Sequence, residues 1–115
     1  MTLAGKTFRA VANSNHGTLN TATTMTFVSD DESGILGVYS GGTIQTGSVV
    51  ARRKSDSTVE MLYHCVTVSG ELKAGQARAR FASDPDRGLS MHLDWQWLTG
   101  DRASGHSEWI LQASG

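Results

Sequence analysis

The sequence predicts an all-β fold, a single antiparallel meander closed into a roughly eight-stranded up-and-down barrel. Three observations carry that expectation. Leu89 to Trp97 alternates apolar and polar residues without a break, putting Leu89, Met91, Leu93, Trp95 and Trp97 on one face. Clusters of glycine with Ser, Thr, Asn and Asp cut the chain into short segments rich in Val, Thr, Tyr, Phe and Trp. No stretch shows a convincing helical period.

The elements follow from the punctuation. Turn signals fall at Asn13–Gly17, Ser29–Gly34, Ser40–Gly42, Lys54–Ser57, Ser69–Gly70, Ser83–Gly88 and Thr99–Gly105. Seven turns separate eight segments, and closing such a meander removes both exposed edges. Pro85, the only proline, sits in a turn, where its missing N–H costs no ladder bond.

Charge and size select a register for the middle hairpin. A three-residue loop Val68–Ser69–Gly70 sets Tyr63 against Gly75, Met61 against Ala77, Val59 against Ala79 and Glu60 against Arg78. A two-residue loop would mix Arg78 and Arg80 into the apolar face. The same parity places Phe81 near Leu89, Ala77 near Leu93 and Gly75 near Trp95. The last hairpin then sets Trp97 opposite Ser107, Trp95 opposite Trp109 and Leu111 beside Leu93. The expected interior holds Val49, Met61, Tyr63, Cys65, Leu93, Trp95, Trp97, Trp109 and Leu111. At Ser40–Gly42 the pattern leaves open whether Tyr39 or Ser40 faces inward.

Composition excludes several classes. With 115 residues the chain suits one domain, residues 1–115, with a single core. The net charge of −1 is made of scattered residues, so no nucleic-acid or anionic-lipid partner is expected. Arg52, Arg53 and Lys54 form the only basic cluster and read as a solvated strand end. No apolar run approaches the roughly 20 residues of a membrane span. The start lacks a basic n-region and an apolar h-region, and the single Cys65 cannot form an internal disulfide. Together these suit a reducing cytoplasm.

Motifs along nearly the whole chain resemble a family of small bacterial proteins, about this length, that carry the label N-acetylglutamate synthase. They are Lys6 to Arg9, Asn13 to Gly17, Tyr39 to Gly42 with Ile44 and Gly47, and Glu60, Met61 and Tyr63. They continue through Gly70 to Leu72 with Gly75, His92, Trp95 to Trp97, Gly100, Asp101, Gly105 and Ser107. The resemblance brings no catalytic residues with it. The labelled activity needs an α/β fold with a pyrophosphate cradle at a helix N-terminus. This chain has no strand–glycine loop–helix unit, and Gly41 and Gly42 precede another strand.

No cofactor motif is present. His16, His64, His92 and His106 with Cys65 show no metal-ligand spacing, and adjacent His64 and Cys65 point to opposite faces of a strand. His92 is expected in an outer polar row with Arg78 and Glu60. Ser40 and Ser107 lack a nucleophile-elbow context, and Cys65 reads as a small core residue.

Two readings of function remain. The first is a non-enzymatic barrel, similar in architecture to lipocalin-like or avidin-like proteins, binding a small apolar or aromatic molecule. Its candidate pocket is Tyr39, Met61, Tyr63, Glu71, Lys73, Gly75, Trp95, Trp97 and Trp109. Lys73 is expected near Trp97, as a cation–π partner or an anion-facing charge at the pocket mouth. Whether the aromatic interior is a pocket or a filled core is left open. The second is a cofactor-independent isomerase or cyclase using Glu71 as a buried acid or base. The partly apolar outer row of Leu62, His64, Val66 and Leu72 adds a homo-oligomer as a further partner.

Overall fold

The computed structural model describes residues 1–13 and 22–112. Eight strands follow in order: β1 Thr7–Asn13, β2 Thr24–Asp31, β3 Gly34–Gly41, β4 Ile44–Arg53, β5 Thr58–Thr67, β6 Leu72–Asp84, β7 Gly88–Trp97 and β8 Ser104–Leu111. Each pairs antiparallel with the next, and β1 closes on β8, giving a closed barrel in sequence order. The turn at Asn13–Gly17 and His16 lie, apart from Asn13, outside the described residues. No helix among the described residues is long and apolar enough to cross a membrane.

The middle hairpin takes the expected register. Tyr63 pairs with Gly75, Met61 with Ala77, Val59 with Ala79 and Glu60 with Arg78. Thr67 N–H donates to the Glu71 carbonyl at 2.9 Å, leaving Val68–Ser69–Gly70 as the loop, and Gly70 takes φ 89°. Gly70 supplies the left-handed residue that this loop requires.

Both later registers differ from expectation while keeping their parity. On β7, Phe81 faces Met91, Ala77 faces Trp95 and Gly75 faces Trp97, two residues beyond the expected partners. The cause is the turn: Asp84 Oδ1 accepts from the N–H groups of Asp86 and Arg87, and Gly88 closes the loop with φ 79°. That moves the three-residue loop one position along the chain. His92 therefore lies between Arg80 and Glu108, and Asp94 takes the place opposite Arg78.

On β8 the slip is four residues. Trp109 faces Met91, Ser107 faces Leu93 and Gly105 faces Trp95, while Trp97 N–H donates to the Ala103 carbonyl. The strand begins at Ser104, so it absorbs residues that read as turn. Gly100 and Arg102 both adopt positive φ, and Arg102 at 56° is a position where glycine would be expected. Leu111 ends up partly buried against the core rather than within it.

Inside the barrel, each cross-strand row sets a small residue beside its rings. One row runs Met25–Tyr39–Gly47–Cys65–Lys73 across β2 to β6. The next runs Phe27–Gly37–Val49–Tyr63–Gly75–Trp97, and the third Ile35–Ala51–Met61–Ala77–Trp95–Gly105. Eight strands enclose a narrow interior, wide enough for side chains to fill or for one small ligand, so a ring on one strand needs a small partner beside it. The arrangement shows in the contacts. A Cβ on Gly47 would lie 2.4 Å from the Tyr39 ring, and one on Gly75 2.6 Å from the Tyr63 ring. The space beside Gly75 thus belongs to the protein's own tyrosine.

One end is sealed by the chain itself. The segment before β1 folds inward and buries Leu3 completely, within the same core as Phe8, Phe27 and Phe81. Phe8 meets Phe27 and Phe81 edge to face at 5.9 and 5.8 Å. Asp30 holds this segment by accepting the Leu3 N–H at 2.8 Å while pairing with Arg53. The loops β3–β4, β5–β6 and β7–β8 lie at the other end.

The ring-over-glycine contacts make a quantitative demand. Gly75→Ala should lower stability by about 1–3 kcal/mol, because the Tyr63 ring cannot retreat within a packed interior. Adding Tyr63→Leu should recover part of that loss. Urea unfolding of the two single variants and the double variant measures the coupling.

Candidate functional site

The end away from Leu3 gathers most of the chemically distinctive interior. Tyr39 is inward, settling the parity at Ser40–Gly42, because it pairs with Gly47 and lies over it. Its ring meets Tyr63 edge to face at 6.2 Å, and Tyr63 meets Trp97 at 5.2 Å. Lys73 keeps the inward parity of Gly75 and Ala77 and carries its Nζ over the Trp97 ring, 4.2 Å from the centroid. The expected cation–π contact is present. Trp95 lies on the next inward row.

Several polar atoms of this cluster are buried without a partner. Among the described residues the indole Nε1–H groups of Trp95 and Trp97 find no hydrogen-bond partner, although the two residues are only 5% and 3% exposed. An indole N–H is a donor only, so each calls for an acceptor that the described residues do not supply. The Tyr39 hydroxyl has the weakly donating Cys65 thiol beside it but makes no hydrogen bond of full geometry. Trp109 is different. Its Nε1–H donates to Ser107 Oγ at 2.8 Å, and it sits completely buried beside Met91 and Ala10.

The structure thus brings together Tyr39, Tyr63, Lys73, Gly75 and Trp97, with Trp95 and Met61 on the adjoining row. It does not bring in Trp109, because the β7–β8 register carries that residue toward the sealed end. Glu71 also stands apart, exposed in the β5–β6 turn with its N–H bound to Thr67 Oγ1. The acid–base reading therefore loses the burial it required of Glu71. Cys65 was legible as an interior residue, but its place beside Tyr39 and between Gly47 and Lys73 follows only from the β3–β4–β5 register.

Histidine and cysteine do not converge. His64 is exposed and Cys65 buried on the opposite face. His92 is half-buried, with Nε2 3.3 Å from Ser90 Oγ. Among the described residues no three His, Cys, Asp or Glu side chains are placed to hold a metal ion.

The outer face carries a second pattern. Leu36, Val50 and Leu62 are direct cross-strand neighbours, each about half exposed. Beside them runs a row of alternating charge, Arg52, Glu60, Arg78 and Asp94, ending at His106. Arg52 Nη2 lies 3.0 Å from Glu60 Oε1, and that contact, helped by Lys54 and Arg78, holds the Glu60 carboxyl below its ordinary range. A groove of about 1110 Å³ crosses this face and includes Val50, Leu62, Arg78 and Asp94 in its lining.

A closed antiparallel meander of eight strands, with an aromatic cluster and orphaned donors at one end, is the architecture of a ligand-binding barrel. The model of the avidin-like protein family matches residues 1–110, and the chain belongs to that family. Neither the curated proteins nor the solved structures yield a match.

Burial raises the pKa of both Tyr39 and Tyr63 above the ordinary phenol value, with the Cys65 side chain adding to the effect at each. These are the only two tyrosines, so no phenolate absorbance should appear in the folded protein as pH passes about 10. The unfolded chain ionises there and the folded chain does not, so stability contributed by these groups is present below pH about 10 and falls above it. A spectrophotometric alkaline titration beside a far-ultraviolet unfolding curve checks both statements, which fail if phenolate forms before unfolding.

Proposed function

We propose that this barrel binds a small molecule with a flat or apolar body in its aromatic-lined interior, at the end bounded by Tyr39, Tyr63, Lys73 and Trp97. The observation that carries the reading is the pair of buried indole donors, Trp95 and Trp97 Nε1, that find no partner among the described residues. Leaving such a group unsatisfied costs about 1–3 kcal/mol, which an acceptor on a bound molecule offsets. The same indole and tyrosine edges offer apolar surface to a ring. Family membership supports a ligand-binding barrel.

Three tryptophans give three indole N–H signals in a ¹⁵N correlation spectrum. Titration with 2-naphthoate and 2-naphthamide should move those of Trp95 and Trp97 saturably and leave the Ser107-bonded signal of Trp109 nearly still. Native mass spectrometry of protein purified from cells should show a mass excess that disappears on denaturation. Silent indole signals together with a clean apo mass would defeat the proposal and leave a filled barrel.

We also propose that a second copy of the chain covers the outer face of β3–β7. Leu36, Val50 and Leu62 supply its apolar row. The alternating signs of Arg52, Glu60, Arg78 and Asp94 support a two-fold contact. Turned about an axis between β5 and β6, Arg52 meets the second copy of Asp94, and Glu60 that of Arg78. Sedimentation velocity should find a dimer that Leu62→Glu converts to monomer without change in the far-ultraviolet spectrum. A wild-type monomer at high concentration would defeat it.

A further inference from the structure

We propose that the ring of Tyr63 is the size limit of this site, the group that decides how large an aromatic body the interior admits. The inference rests on the binding site proposed above and assigns its specificity to one side chain. Tyr63 stands at the middle of the ring cluster. Its ring meets Tyr39 edge to face at 6.2 Å on one side and Trp97 at 5.2 Å on the other. Any flat molecule that lies against both of those neighbours also lies against Tyr63.

The strand pairing holds that ring in place. Tyr63 faces Val49 across β4–β5 and Gly75 across β5–β6. The far edge of the ring fills the notch that glycine leaves, because a Cβ on Gly75 would lie 2.6 Å from Cε2, Cζ and Oη alike. On its own strand the adjacent inward residues, Cys65 and Met61, are both buried. A swing out of the notch turns the ring toward Val49 and Tyr39, which are buried as well, so the packed interior opposes it. The ring is a fixed wall.

The interior on the far side offers no substitute room. Met61, Val59, Leu93 and Trp95 are all buried members of one continuous core. A longer aromatic body ordinarily gains affinity with the apolar area it buries. Here, once the body outgrows the space left by Tyr63, overlap with a ring that cannot retreat reverses the gain. Removing the phenol vacates the space of one benzene ring, so the largest body accepted should grow by one ring. A tyrosine that served only to fill the core would behave differently. Its loss would weaken every ligand alike and leave their order unchanged.

The decisive comparison keeps the polar group and lengthens the body. Benzamide, 2-naphthamide and 2-anthracenecarboxamide are neutral and differ by one fused ring at each step. They are titrated into ¹⁵N-labelled protein with the Trp95 and Trp97 indole signals as readout. In the wild-type protein 2-naphthamide should bind tightest and the anthracene amide about tenfold more weakly, against the trend of apolar area. Tyr63→Ala should make the anthracene amide the tightest of the three, whereas Tyr63→Phe, which keeps the ring, should retain the wild-type order. Tyr63→Leu should close the gap between the two larger amides, and it decides the matter if Tyr63→Ala fails to fold. Wild-type affinity that rises through the whole series would overturn the size limit and leave the binding site standing. So would a wild-type order that persists in Tyr63→Ala or Tyr63→Leu, or one that reverses in Tyr63→Phe. If no amide moves either indole signal, the binding site falls and the size limit with it.

Discussion

The barrel depends on the contact of tyrosine rings with glycine backbones across neighbouring strands. Tyr39 lies over Gly47 and Tyr63 over Gly75, each so close that a single methyl group would collide. An eight-stranded barrel has a narrow interior, and its rows fill only when bulk on one strand is answered by its absence on the next. The same alternation sets Ala77 between Met61 and Trp95, and Ala79 between Val59 and Leu93. Strand pairing and interior packing are thus one constraint, since sliding any strand by one residue would turn its inward side chains outward.

That constraint also divides the interior by chemistry. Toward Leu3 the space is closed by phenylalanine rings, with the Asp30–Arg53 pair anchoring the inward-folded segment. Toward the opposite loops the rings carry polar edges, and Lys73 brings a charge over Trp97. Trp109 and Trp97 are chemically alike, yet Trp109 donates to Ser107 and Trp97 to none of the described residues. Buried donors are nearly always satisfied in folded proteins. Two fail together at one end of this barrel, where the proposed ligand would sit. The outer face follows a separate logic, as its apolar and alternating-charge rows need only the correct register to form.

The sequence by itself determined the strand count, the closed meander and the parity of most segments. Alternation along Leu89–Trp97 and glycine-centred turns are local signals, readable without knowing what lies across the sheet. It also determined the β5–β6 register, because Gly70 and the Glu60–Arg78 pair admit one loop length. Tertiary structure alone decided the later registers. The Asp84 side chain and the positive φ of Arg102 set loop closures that residue type does not announce. A shift of two residues preserves every inward face, so parity survived while partners changed: Gly75 gained Trp97, and Trp109 left for the sealed end. The composition of the site was therefore local information. Its membership depended on pairing distances around a closed barrel, where each loop's slip carries every following strand with it.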